Sequence, residues 1–260
     1  MTDITERFYI HILDHMFLEY SEKALSEGIN LDLHSGMGFF ENVKIDDLKR
    51  LRDRFFEKNL HFSVHAPFID ISPGSPDPKI ADVAKYRIVR SLQFAHFMKA
   101  KFMICHAGSE VLKYGYSYRG FIKNSIGFWS DIKHIAEDLG VKVAIENTIE
   151  KKPDLQTEIV NGVNSPYIGY CLDIGHWNLM SHVPLLVWLE ALKDKLFAAH
   201  IHDNFGLDDD HLALGWGAID FKPFTDFIKK HDLENIFVVE NHNAENALHS
   251  IEVIRSGKFF

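Results

Sequence analysis

The chain has 260 residues, 46% apolar and 25% charged, proportions of an ordinary folded protein that exclude a disordered, collagenous or coiled-coil chain. No run approaches the roughly 18 apolar residues of a membrane helix, and the start Met1-Thr2-Asp3-Ile4-Thr5-Glu6-Arg7 lacks the basic-then-apolar plan of a signal peptide. A formal net charge of −9 denies the chain a broad basic footprint for nucleic acid, and its two cysteines, Cys105 and Cys171, cannot make a disulfide framework, so a reduced, cytoplasmic protein is expected.

Short β-branched or aromatic runs recur along the chain at Phe8–Leu13, Ile29–Leu33, Leu60–Val64, Phe102–Cys105, Val141–Ile145, Tyr167–Leu172, Leu196–Ile201 and Ile236–Val239. Each has the length of a strand buried on both faces. Between them, apolar spacing near 3.6 predicts helices at Phe17–Glu27, Ile45–Lys58, Ile80–Lys99, Tyr118–Leu139, Leu155–Gly162, His176–Lys193, Phe221–His231 and Asn243–Gly257. Gly28 and Gly140 stand where helices should end, Pro153 and Pro223 near helix starts, and Ser72–Pro78 reads as a loop. Alternating strands and helices imply a parallel sheet under a helical coat. Eight such units in about 250 residues predict one (β/α)8 TIM barrel over residues 1–260 rather than an open sheet. No dinucleotide fingerprint follows the first strand, where Leu13-Asp14-His15-Met16 stands.

Sixteen histidines are many for a composition otherwise near average. They are not scattered. Strand two ends in Asp32 and His34, strand three in His65, and strand four in His106. Strand five gives Glu146-Asn147, and strand six gives Asp173 with His176 three residues on. Strand seven gives His200 and His202-Asp203-Asn204, and strand eight Glu240-Asn241-His242. A barrel converges these ends on one mouth, and several carboxylates cannot stay ionised together there without something positive between them. A divalent metal site follows as the expectation. Imidazole and carboxylate without thiolate suit Zn, Mn, Co, Fe or Mg, with the imidazoles tilting the choice toward transition metals.

Taken singly, each residue has a plainer use: Glu146 as a salt-bridge partner, Asp173 as the cap of the helix near His176. After strand seven, Asp208-Asp209-Asp210-His211 offers a carboxylate and an imidazole from one loop, with His176 nearby; which of the three aspartates serves stays open. Trp177, Trp216 and Phe205 could stack on a sugar ring, and Trp177 and Trp216 with His34 and His202 are the expected substrate-facing residues. Met98, Met103 and Met180 read as core filler, and Cys105 and Cys171 as buried, inert thiols.

The segments His65-Ala66-Pro67, His106-Ala107-Gly108-Ser109, Ile145-Glu146-Asn147-Thr148, Cys171-Leu172-Asp173-Ile174-Gly175-His176, His200-Ile201-His202-Asp203-Asn204, Asp209-Asp210-His211 and Glu240-Asn241 resemble, in combination, the xylose-isomerase-like barrels. That group includes sugar isomerases and epimerases and the apurinic-site DNA endonuclease IV. The sugar-enzyme resemblance implies a cation held by Glu146, Asp173, His200 and Glu240, with Glu146 and Glu240 exchanging a proton with a ketose through an enediolate. The endonuclease IV resemblance implies three zinc ions. One would lie on His65, His106 and Glu146; a second on Glu146, Asp173, His200 and Glu240; a third on His176, Asp209 and His211. Against DNA stand the segment Ile149-Glu150-Lys151-Lys152-Pro153, which lacks the glycine-rich stretch of endonuclease IV, and loops poor in Lys and Arg after strands two, three and seven. The expected function is therefore a metal-dependent sugar or sugar phosphate isomerase or epimerase with one to three ions per chain. The alternative is a multi-zinc hydrolase of abasic-site DNA or another phosphate ester. The expected partner is a small sugar, with DNA only under the alternative and no membrane; a homo-oligomer stays open.

Overall fold

The computed structural model describes residues 4–13, 16–36 and 38–260. Asp14 and His15, in the segment after the first strand, lie outside the described residues, as do Met1–Asp3 and Met37. Eight strands, β1 (Phe8–Ile12), β2 (Asn30–His34), β3 (Phe62–His65), β4 (Phe102–His106), β5 (Lys142–Glu146), β6 (Ile168–Asp173), β7 (Leu196–Ile201) and β8 (Ile236–Val239), pair in chain order. All pairs are parallel, and β1 closes on β8, giving the expected (β/α)8 barrel. Around it run α1 (Phe17–Glu27), α2 (Phe39–Asn42), α3 (Ile45–Glu57), α4 (Pro78–Phe97), α5 (Tyr118–Leu139), α6 (Asp154–Val163), α7 (Ile174–Met180), α8 (Leu185–Leu192), α9 (Lys222–His231) and α10 (Ala244–Arg255).

Local chemistry sets the boundaries. Gly28 and Gly140 end α1 and α5 in the left-handed conformation, φ 67° and 69°, which costs glycine nothing. Asp77 caps α4 by accepting from Lys79 N at 2.8 Å, and Pro78 occupies the first turn, so that helix starts two residues before Ile80 and the preceding loop ends at Asp77. The run His176–Lys193 is two helices rather than one. Pro184 stands at the start of α8, and the Ser181 hydroxyl accepts from Val183 N and Trp188 Nε1 at 3.1 and 2.9 Å, satisfying groups freed at the break. Met98 and Met103 are fully buried, but Met180, at the end of α7, is 39% exposed and is not core filler.

Strand alternation decides what the barrel encloses. Low in the barrel the enclosed side chains are Tyr9, Ile104, Ala144, Cys171, Ala198, Ile236 and Val238, an apolar plug. One step further along the same strands stand His11, His106, Glu146, Asp173, His200 and Glu240. The apolar faces of the helices bury the outer strand residues in a second, larger core. Burying that surface, at about 25 cal/mol per Å², makes the barrel rigid enough to hold costly polar groups at its carboxyl end. Among the described residues no helix is long and apolar enough to cross a membrane.

Candidate metal and active site

Register places the polar residues side by side. His34 pairs with His65, His106 with Glu146, and Asp173 with His200. Glu240 follows β8 directly, its amide donating to Ile201 O at 3.2 Å. Donor atoms of Glu146, Asp173, His200 and Glu240 all lie within 4.8 Å of one another, as do those of His65, His106 and Glu146. Glu146, Asp173 and His200 are fully buried.

The geometry of this group is not that of a finished hydrogen-bond network. His200 Nδ1 sits 2.8 Å from Glu240 Oε2, 3.3 Å from Glu146 Oε1 and 3.7 Å from Asp173 Oδ2. Yet none of these four atoms has a hydrogen-bond partner. A buried polar atom left unsatisfied costs about 1–3 kcal/mol, and four of them converge on one point from four strands. A nitrogen and three carboxylate oxygens directed at a common centre are the donor set of a divalent cation, so the residues present fit the metal that the sequence implies. Asp173 shows how two roles coexist: Oδ1 caps α7 by accepting from His176 N at 2.6 Å, while Oδ2 is the unpartnered atom.

Tautomers agree with this assignment. A carbonyl can only accept, so His65 Nδ1 donates to Ala66 O (2.8 Å), His176 Nδ1 to Asn147 O (3.0 Å) and His211 Nδ1 to Glu240 O (2.7 Å). Each ring then turns Nε2 toward a carboxylate: Glu146 for His65, Asp209 for His176 and His211. A backbone-anchored Nδ1 with Nε2 turned toward the ligand site is the usual state of a metal-binding histidine, and in these three rings Nε2 meets a carboxylate there. Burial pushes the His106 pKa down to about 4, so that ring is neutral near pH 7. Burial would also lower His200 and raise Glu146 and Glu240, but Cys171 and the two carboxylates hold His200 well above its ordinary value, and the surrounding imidazoles, His200 foremost, hold both carboxyls well below theirs. The two glutamates are ionised because positive charge, on the imidazoles around them or on a cation in their place, lies among them.

A separate group lies beside this one. His176, His202, Asp209 and His211 bring donor atoms within 4.8 Å of one another. Of the three consecutive aspartates, Asp209 is the one that reaches His176 and His211, through Oδ2 at 3.1 and 3.2 Å. His211 adopts φ 48°, a left-handed conformation uncommon outside glycine, and its ring stacks on His202 at 3.9 Å and on His242 at 3.9 Å. His202 is fully buried with both ring nitrogens unpartnered. Its place depends on Gly175: a Cβ there would meet the His202 ring at 2.0 Å.

The remaining expectations divide. His34 lies near the group, 5.8 Å from the His65 ring, with both nitrogens buried and unpartnered. Trp177 packs against the core with Nε1 donating to Val183 O at 3.1 Å, and Trp216 lies 4.9 Å from His249 of α10. Phe205 is exposed. Sequence reasoning missed two features. Phe68, in the loop after β3, stacks on His106 at 4.8 Å and borders an open cavity of about 910 Å³ lined also by Ile71, Ile80, Val83 and Val111. His11, on β1, is bonded to Asp32. The alternation of Tyr9 and His11 with Phe8 and Ile10 is the signal that could have placed it inside the barrel.

Residues 27–257 match the family described as xylose isomerase-like TIM barrel. The chain belongs to this family. An uncharacterized protein of Methanocaldococcus jannaschii is 28% identical over 227 residues, covering 85% of this chain and 76% of the archaeal protein. The inosose isomerase of Bacillus subtilis is 31% identical over 133 residues, 45% of this chain and 46% of its own length. The crystal structure of a D-tagatose 3-epimerase-like protein superposes with a TM-score of 0.81 at 25% identity, covering 96% of each chain.

Proposed function

We propose that this protein is a divalent-metal-dependent isomerase or epimerase of a small sugar or sugar derivative. The observation that carries the reading is the pair Glu146 and Glu240. They arrive from β5 and β8, flank the same His200 nitrogen at 3.3 and 2.8 Å, and each keeps an unpartnered oxygen. A bound divalent cation supplies Lewis acidity that makes a hydrogen next to a carbonyl removable. Glu146, Asp173, His200 and Glu240 would hold it. One of the two glutamates takes the proton from the substrate carbon, leaving an enediolate, and the other returns a proton from its own side. Ionised before the reaction, either carboxylate can serve as the base, and the one that returns a proton must first take it up from solvent. The His65 and His34 rings lie 5.9 and 5.5 Å from that of Phe68, and the largely apolar cavity beside Phe68, which reaches His106, carries one lysine, Lys79. The relatives named for inosose isomerase and for D-tagatose 3-epimerase support the same reaction class.

The test is exchange of carbon-bound hydrogen with deuterated solvent in D-tagatose, D-fructose and inosose, using metal-loaded protein. Exchange is expected in the wild type and should fall by about 10²–10⁴-fold in Glu240→Gln. A second reading, hydrolysis of a phosphate ester, is favoured by the separate His176, His202, Asp209 and His211 group, which could hold a further ion. Cleavage of an abasic-site duplex that disappears in His211→Ala, with no sugar exchange, would establish it instead. The charged residues lining the 910 Å³ cavity, Asp70, Lys79 and Glu110, are mainly acidic and offer little for a phosphate backbone.

A further inference from the structure

On β1–β3, three polar residues form a network that the reaction outlined above does not use. His11 Nδ1 lies 2.7 Å from Asp32 Oδ2, and the Ser63 hydroxyl donates to Asp32 Oδ1 at 2.6 Å. The register β1–β2–β3 sets all three in one row, since His11 pairs with Asp32 and Asp32 with Ser63. Asp32 and Ser63 are fully buried. Burial would push the Asp32 carboxyl up, but its bond to His11 and the nearby imidazoles hold it below the usual range. An ionised carboxylate can only accept, so His11 carries a proton on Nδ1, and Nε2 is left to meet another group.

That second nitrogen has no hydrogen-bond partner among the described residues. The side chain is 5% exposed, and its ring stands 5.4 Å from the His65 ring and 6.0 Å from that of His34. Strand alternation turns it to the barrel interior, into the space the metal-type residues face. A fully buried aspartate and serine spent on fixing one imidazole tautomer are costly for packing alone. They make sense where the orientation of the imidazole matters.

Resting on the sugar reading, we propose that His11, held by Asp32 and Ser63 and next to Glu240 in the β1–β8 register, is a specificity-determining hydrogen-bond partner for a hydroxyl of the substrate. The enzyme then selects a polyhydroxylated substrate over its deoxy counterpart at that position. Asp32 is a positioning residue, and His11 touches the substrate. Glu146 and Glu240 perform the proton transfer, and neither His11 nor Asp32 is in their donor sets.

Hydrogen–deuterium exchange should be measured on D-tagatose and on its 1-deoxy and 6-deoxy forms, with wild type, His11→Leu and His11→Gln at equal metal content. Wild type is expected to discriminate against one deoxy form by about tenfold or more in kcat/KM. In His11→Leu the KM for the parent sugar should rise about tenfold with kcat nearly unchanged, and the discrimination should vanish. His11→Gln, whose side-chain oxygen falls near the place of Nε2, should recover part of it. Nitrogen-15 NMR of the imidazoles in the metal-loaded protein should show His11 protonated on Nδ1, with Nε2 shifting on addition of D-tagatose. Unchanged discrimination in a folded, metal-replete His11→Leu overturns this inference while leaving the sugar reading intact. Wild type that neither binds nor exchanges any of these sugars overturns both.

Discussion

The carboxylates on the β1–β3 and β5–β8 sides of the barrel mouth are in opposite states. On β1–β3, Asp32 spends both oxygens, on His11 and Ser63. On β5–β8, Glu146, Asp173 and Glu240 each keep one buried oxygen without a partner, around an unpartnered His200 nitrogen. Both sides bury acids against imidazoles, so burial and charge do not distinguish them. The distinction is whether the lone pairs are consumed within the protein or aimed at a shared point. A self-satisfied network orients; an unsatisfied one binds.

The largest effect that could break this comparison is a pair of matched substitutions. Asp173→Asn keeps the oxygen that caps α7 but removes the charge facing His200. It should weaken divalent-cation binding by about a hundredfold or more. Asp32→Asn should leave metal content, read by elemental analysis, as in the wild type. Stripping the wild type with a chelator should then cost about 4 kcal/mol if free cation had stood at about a thousand times its Kd. For a chain of this size that lowers Tm by on the order of 10 °C. Equal loss of metal in the two variants would erase the distinction between the two sides.

How much of this was legible beforehand follows from range. The barrel and its ring of donors were readable because they rest on local patterns: β-branched runs, 3.6-residue spacing, and an imidazole or carboxylate at each strand end. Asp209 could not be chosen from Asp208-Asp209-Asp210, because only the fold of that loop brings one of them to His176 and His211. The His11–Asp32–Ser63 row was hidden for the same reason, since it depends on the register of three strands. The break between α7 and α8 was written in Pro184, but the apolar spacing on either side outweighed it. The aromatic residues near the mouth illustrate the reverse error. Trp177 looked like a stacking surface, yet its N–H is bonded to Val183 and its ring packs on the core.

A smaller effect concerns the seam between Glu146's group and that of His176. Gly175→Ala would drive a methyl group into the His202 ring, 2.0 Å from its nearest atom, and through the stack displace His211. Overpacking of this kind costs about 1–3 kcal/mol, and in this case it should also loosen cation binding by the second group. Gly127→Ala, within α5 and with nothing inside 4 Å of the added carbon, is the control of opposite sign. It should stabilise by about 0.5–1 kcal/mol. Thermal melts with and without added zinc read both, and a neutral Gly175→Ala would mean that His202 has room to move and is not fixed by its neighbours.

The smallest effect is a difference in pH response between the two sides. Burial and the neighbouring His65 and His11 push the His34 pKa from 6.5 down to about 3. Below pH 6.5 the unfolded chain takes up a proton at this site that the folded one refuses, so stability falls as the pH drops from 6.5 toward 3. His211 behaves oppositely. Burial would lower it, but its bond to Asp209 and the charge of Glu240 raise it from 6.5 to about 9. Its contribution is complete below pH 6.5 and fades as the pH climbs toward 9 in metal-free protein. A cation on Asp209 and His211 displaces that proton, so saturating zinc should flatten the alkaline limb and leave the acid limb of His34 unchanged. His34→Leu should flatten only the acid limb. Melting profiles from pH 4 to 9, with and without metal, check both, and a metal-insensitive alkaline limb would count against cation binding at His211.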